Sequence, residues 1–94
     1  NSYSIHSIYP NPFNPSTTII FSIPEFSFTS IKVYDMKGME IETLINEVLN
    51  VGKHSIVWNA SSYPSGIYFI RILSGGSDVH SGGKIIQAQV VLIK

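Results

Sequence analysis

Cysteine is absent from this chain of 94 residues. No disulfide, thiolate nucleophile or cysteine-ligated metal is available to it. Charge is scarce as well. Asp, Glu, Lys and Arg make up 13% of the residues, and six basic residues balance six acidic ones to a formal net charge of zero. A nucleic-acid-binding surface needs a basic excess gathered on one face, so no nucleic-acid partner is expected. No apolar run reaches the roughly 20 residues that a membrane-spanning helix needs. Asn1 to His6 carries neither the basic stretch nor the apolar core of a signal peptide. An initiator Met is missing too, and the expectation is a piece of a longer protein. What the chain does have is hydrophobic side chains, 44% of the total, which excludes a disordered segment. A chain this short builds a single core, so residues 1–94 are expected to form one domain.

Short apolar segments separated by turn signals give the rhythm of an antiparallel β-sandwich. Ile19, Phe21 and Ile23 alternate with Thr18, Ile20 and Ser22, and Pro24, which has no N–H to donate, ends that segment. Ile31 and Val33 share a face of the next segment, which runs into Asp35-Met36-Lys37-Gly38. Gly38 supplies the positive φ of a short hairpin. His54, Ile56 and Trp58 fall together after Gly52, as do Tyr68, Ile70 and Ile72 after Gly66. A Gly- and Ser-rich connection over residues 74–83 leads to a last strand over residues 84–94. Residues 1–8 read as a first strand or as the end of a linker. The stretch Glu40–Asn50 allows two readings. Ile41, Leu44, Ile45, Val48 and Leu49 fit a helical stripe. Its place between two strands favours a strand carrying Ile41, Thr43 and Ile45 on one face, then a loop toward Gly52. The expected fold is all-β, an immunoglobulin-like antiparallel sandwich of about seven strands.

The chemistry-bearing residues assemble no active site in the sequence. His6, His54 and His80 stand at no metal-ligand spacing. Asp35, Glu40 and Glu42 flank one hairpin, where a turn-opening Asp is the better reading than a weak Ca²⁺ site. No carboxylate pair suits general acid and base work, and no GxSxG surrounds a serine. Neither an enzyme nor a metal or other cofactor is expected. Asn59-Ala60-Ser61 matches an N-glycosylation acceptor, a pattern frequent by chance. A carbohydrate platform needs a row of exposed rings, whereas the inferred faces send most rings, Trp58 first, into the core. Tyr68, just after a Ser-Gly turn, resembles the tyrosine corner of immunoglobulin-like sandwiches, with Ile70 where antibodies carry a cysteine. The oddest stretch is Tyr9-Pro10-Asn11-Pro12-Phe13-Asn14-Pro15. Its prolines remove donors and force a rigid corner between the first two strands, with Tyr9 and Phe13 tucked against the end of the sandwich. A Pro-rich peptide ligand is the lesser reading.

The series YPNPFNPSTTIIFSIP (Tyr9–Pro24), IKVYDMKGMEIETL (Ile31–Leu44), VGKHSIVWNAS (Val51–Ser61), PSGIYFIRI (Pro64–Ile72) and VVLIK (Val90–Lys94) closely resembles the type A C-terminal sorting domain of the type IX secretion system. PNPFNPSTT and the SGIY step are its specific elements; immunoglobulin-like modules of flagellar-hook capping proteins share parts of the pattern. Ser77 to Gln89 departs from it. The resemblance implies a non-catalytic tail that directs a larger cargo chain across the outer membrane. Its partners would be the type IX translocon, a surface sortase and the upstream cargo domain, on a route through the periplasm to the surface or the medium. It places recognition on Val90, Val91, Leu92, Ile93 and Lys94, with Gly66 in the turn before Tyr68 as structural support. The uncharged last strand would offer unpaired N–H and C=O groups for strand addition, and a homodimer through that strand is expected. An accessory spacer or carbohydrate-binding module is the alternative, and an ending at Lys94 favours sorting.

Overall fold

Side chains that alternate between apolar and polar need two sheets facing each other to bury their apolar halves. The structure, a computed structural model, describes residues 3–74 and 85–94. Among them run seven strands: β1 (Ser4–Tyr9), β2 (Ser16–Ile23), β3 (Ser27–Tyr34), β4 (Glu40–Leu49), β5 (Gly52–Asn59), β6 (Gly66–Ser74) and β7 (Ile85–Leu92). A three-stranded sheet has the order β1-β2-β5 and a four-stranded sheet the order β4-β3-β6-β7. Every neighbouring pair is antiparallel. This is the immunoglobulin-like sandwich, with the fourth strand paired to the third rather than to the fifth. Residues 4–9 are thus a first strand and not a linker. Ser74 ends β6, and the rest of the Gly- and Ser-rich connection, with His80, lies outside the described residues, as does Lys84, the expected start of the last strand.

Period-two alternation fills the space between the sheets as the sequence dictates. Ile19, Phe21 and Ile23 of β2 face Ile31 and Val33 of β3, Tyr68, Ile70 and Ile72 of β6, and Val90 and Leu92 of β7, all buried. Full burial of each such aliphatic side chain is worth about 1.5–3 kcal/mol.

β4 corrects the sequence reading. Its register against β3 jumps from Ile31↔Ile45 to Lys32↔Thr43, and again from Val33↔Glu42 to Tyr34↔Glu40. Each jump is a β-bulge that leaves one residue, Leu44 or Ile41, without an opposite number and shifts the inward phase by one. Ile41, Leu44, Ile45 and Leu49 consequently all pack on the core although they do not alternate. Two bulges in one strand therefore imitate a helical stripe. The strand continues to Leu49 instead of giving way to a loop. Glu42 lies opposite buried Val33 and points inward, whereas Thr43 is exposed.

Turn glycines matter where the backbone is left-handed. Gly38 has φ +84 and donates its N–H to the Asp35 carbonyl at 3.0 Å. The Asp35 carboxylate accepts from the N–H groups of Lys37 and Met39, so it opens the turn as read. Gly52, at φ +127, begins β5. Gly66 differs. It is the first residue of β6 rather than a turn residue, and an added Cβ would meet only Tyr68 Cε2 at 3.9 Å. Alanine at position 38 or 52 is expected to cost about 1 kcal/mol or more, and Gly66→Ala to stay within about 0.5 kcal/mol. Urea unfolding followed by Trp58 fluorescence checks this; equal losses at 38 and 66 would contradict it.

Candidate functional site

One end of the sandwich is built around the Trp58 indole, which is fully buried. Its ring centroid lies 5.4 Å from Phe13, 5.5 Å from Tyr68 and 5.9 Å from Tyr63. Inward-facing Glu42 accepts the indole N–H through Oε1 at 3.1 Å. The same oxygen accepts from the Tyr63 hydroxyl at 3.0 Å, which also reaches the Ile41 carbonyl. Tyr68 donates its hydroxyl to the Pro64 carbonyl at 2.6 Å, the bond that defines a tyrosine corner. Trp58 is a core plug, as the alternation with Ile56 predicts. Sequence reasoning missed Glu42 because its inward orientation depends on the bulges.

The proline-rich segment does more than turn a corner. Phe13 is buried against Trp58, the Thr17 hydroxyl donates to the Pro10 carbonyl at 2.7 Å, and the Ala60 N–H donates to the Pro15 carbonyl at 2.8 Å. So anchored, the segment lies along the outer edge of β7. Phe13 N–H donates to the Val91 carbonyl at 2.9 Å and its carbonyl accepts from Ile93 N–H at 3.0 Å, a parallel bridge to Leu92. Asn11 extends the pattern through its side chain: Oδ1 accepts from Val91 N–H at 3.0 Å, and Nδ2 donates to the Gln89 carbonyl at 3.3 Å. The edge expected to be unpaired is therefore closed from Gln89 to Ile93. Tyr9 was expected in the packed corner with Phe13 but is 76% exposed. It occupies the last position of β1, before the segment turns inward.

The five residues of the recognition stretch divide by environment. Val90 and Leu92 are buried in the core, Val91 faces outward and Ile93 is half exposed. Lys94 N–H donates to the Ser65 hydroxyl at 2.9 Å and its ammonium to the Ser61 carbonyl at 2.7 Å. Beside Ser65, Met36, Met39 and Ile67 line a recess of about 290 Å³ between the β3–β4 turn and the start of β6.

The remaining sequence candidates stay apart. Glu40 pairs with Lys32 at 3.3 Å, Asp35 serves its turn and Glu42 serves Trp58, so the three carboxylates face different partners. His54 stacks on Phe21 and meets the Asn50 carbonyl, while His6 meets the Ser22 hydroxyl. Asn59 Oδ1 accepts from Ser61 N–H. Among exposed rings, Tyr9 ends β1 opposite Thr18, Phe26 follows the far end of β2 and Phe28 lies on the other sheet, which does not make a row.

Burial above all pushes the Tyr63 and Tyr68 phenols upward; Glu42 adds to the first through its hydrogen bond and charge, and the charge of Asp35 adds to the second. Both groups thus hold their protons more tightly folded than unfolded. Their contribution to stability is complete below the free phenol value of 10.0 and is lost as pH rises through the raised folded values. Urea midpoints measured across this alkaline range should fall more steeply for the native chain than for Tyr63→Phe; identical slopes would remove Tyr63 from the account.

Comparison with known families brings a match to the model described as the secretion system C-terminal sorting domain, over residues 7–88. Neither the curated proteins nor the solved structures give a match. The matched stretch includes the proline-rich segment, the aromatic end and β7 as far as Ala88. Sorting domains of this kind are C-terminal signals for type IX secretion. They are attached to a cargo chain, engage the secretion machinery and accompany export across the outer membrane to the cell surface or the extracellular space. With its immunoglobulin-like sandwich and a match over most of its length, the chain belongs to the secretion system C-terminal sorting domain family and serves as a sorting signal of type IX secretion.

Proposed function

We propose that the type IX translocon reads this domain at the last strand through outward side chains and Lys94, not through a free backbone edge. The observation that carries this reading is the closure of β7 by Asn11 and Phe13, which occupies the outward backbone groups from Gln89 to Ile93, over the recognition stretch. What remains available over the recognition stretch is the outer surface of Val91 and Ile93 and the end of the chain held at Ser61 and Ser65. Val90 and Leu92 act by position, since their side chains fix the strand in the core. The apolar recess beside Ser65 extends the same surface. On this reading residues 1–94 work as one unit that folds in the periplasm behind its cargo, catalyses nothing itself, and meets the surface sortase after export.

An export assay in a bacterium with a type IX system tests the proposal. A fluorescent reporter with a signal peptide is fused to residues 1–94, beside a twin lacking Val90–Lys94. Glu at both 91 and 93 is expected to reduce surface reporter to the level of the deletion while thermal stability is kept. Val90→Ala should reduce export only as far as it reduces stability, because cavity formation is its one effect. Normal export by the fold-competent Val91→Glu, Ile93→Glu variant would overturn the proposal.

A further inference from the structure

A strand peptide lying parallel to its neighbour gives one N–H to a carbonyl and takes one N–H from a residue two positions further along. The Asn11 carboxamide makes this pair of bonds with the Gln89 carbonyl and the Val91 N–H, and the Phe13 backbone makes the next pair with the Val91 carbonyl and the Ile93 N–H. Four successive outward groups of the last strand are thereby filled, two of them by a side chain. We propose that Asn11 is a surrogate strand peptide that closes the last strand against edge pairing with a second copy of the chain.

The chemistry selects Asn. A carboxylate would bring an acceptor to the Gln89 carbonyl, and a hydroxyl is too short to span both partners. Pro10 and Pro12 flank Asn11 and have no N–H, so the closing segment offers a further strand no ladder to join. What it closes warrants protection. Residues 85–93 carry no charge and are rich in β-branched side chains, the composition that pairs edge to edge when left open. The homodimer expected from that composition is the state this closure opposes. The inference holds whichever surface the secretion machinery reads.

Amide exchange on the native chain is the first test. The N–H groups of Val91, Ile93 and Gln87 all point away from β6, but only the first two have partners in the closing segment. Val91 and Ile93 should therefore exchange slowly and Gln87 fast; equally fast exchange at Val91 and Gln87 would overturn the proposal without any variant. Asn11 is exposed, so Asn11→Leu should keep the Trp58 environment intact. It should raise Val91 exchange about tenfold, the scale of one lost hydrogen bond, and give a concentration-dependent dimer by light scattering where the native chain is monomeric. Adding Val91→Pro removes the uncovered donor on the side away from β6 and should restore the monomer. A monomeric Asn11→Leu variant, or a dimer that persists in the double variant, would overturn the proposal.

Discussion

An indole that is buried with its N–H intact has to find an acceptor inside the protein, and much of this sandwich is arranged around the one that Trp58 finds. Glu42 reaches the indole because two bulges turn it inward from an edge strand whose simple alternation would have placed Thr43 there. The carboxylate then holds Tyr63, and the Trp58 ring itself backs Phe13 and Tyr68. Phe13 in turn carries the proline-rich segment to the last strand. A single buried ring thus connects the three-stranded sheet, the bulged edge and the closed edge of the opposite sheet. The aromatic pairs add about 0.5–1.5 kcal/mol each beyond the area they bury, so their greater effect is to fix the position of the elements around them.

The four-stranded sheet handles its two edges differently. β4 is interrupted by two bulges, and β7 is covered from Gln89 to Ile93 by a segment whose Pro10, Pro12 and Pro15 have no N–H to offer a further strand. The cover on β7 leaves the outer face free while occupying the backbone from Gln89 to Ile93. A sorting domain has to be recognised yet must not stick to its neighbours, and separating side-chain surface from backbone edge serves both demands.

Features governed by local rules were legible in the sequence. Alternation around Ile19, Ile31, Ile56 and Ile70 located strands and their inward faces, Gly38 located its hairpin, and Tyr68 after the Ser-Gly step located a corner. The misread features have non-local causes. The bulges of β4 bring Glu42 to Trp58 and Tyr63 across the core, a relation that no local pattern carries, so Glu42 read only as a hairpin flank and Leu44 and Val48 as part of a helical stripe. The role of Asn11 had no local signal at all. Prolines around it correctly excluded a ladder strand, but a side chain can make the bonds that the backbone cannot, and its partners lie at the far end of the sequence.

That distance has a temporal meaning. Asn11 and Val91 are 80 residues apart, and Asn11 and Gln89 are 78 apart. The loop they close is nearly the whole domain, and contacts of such range form late in folding. A chain emerging from the ribosome presents Asn11 and Phe13 long before it presents their partners. One cut short before Val91 leaves them permanently without those partners. The closed edge is therefore made only by a chain that reaches Ile93, and it separates molecules carrying the last strand from those without it before any partner has touched them.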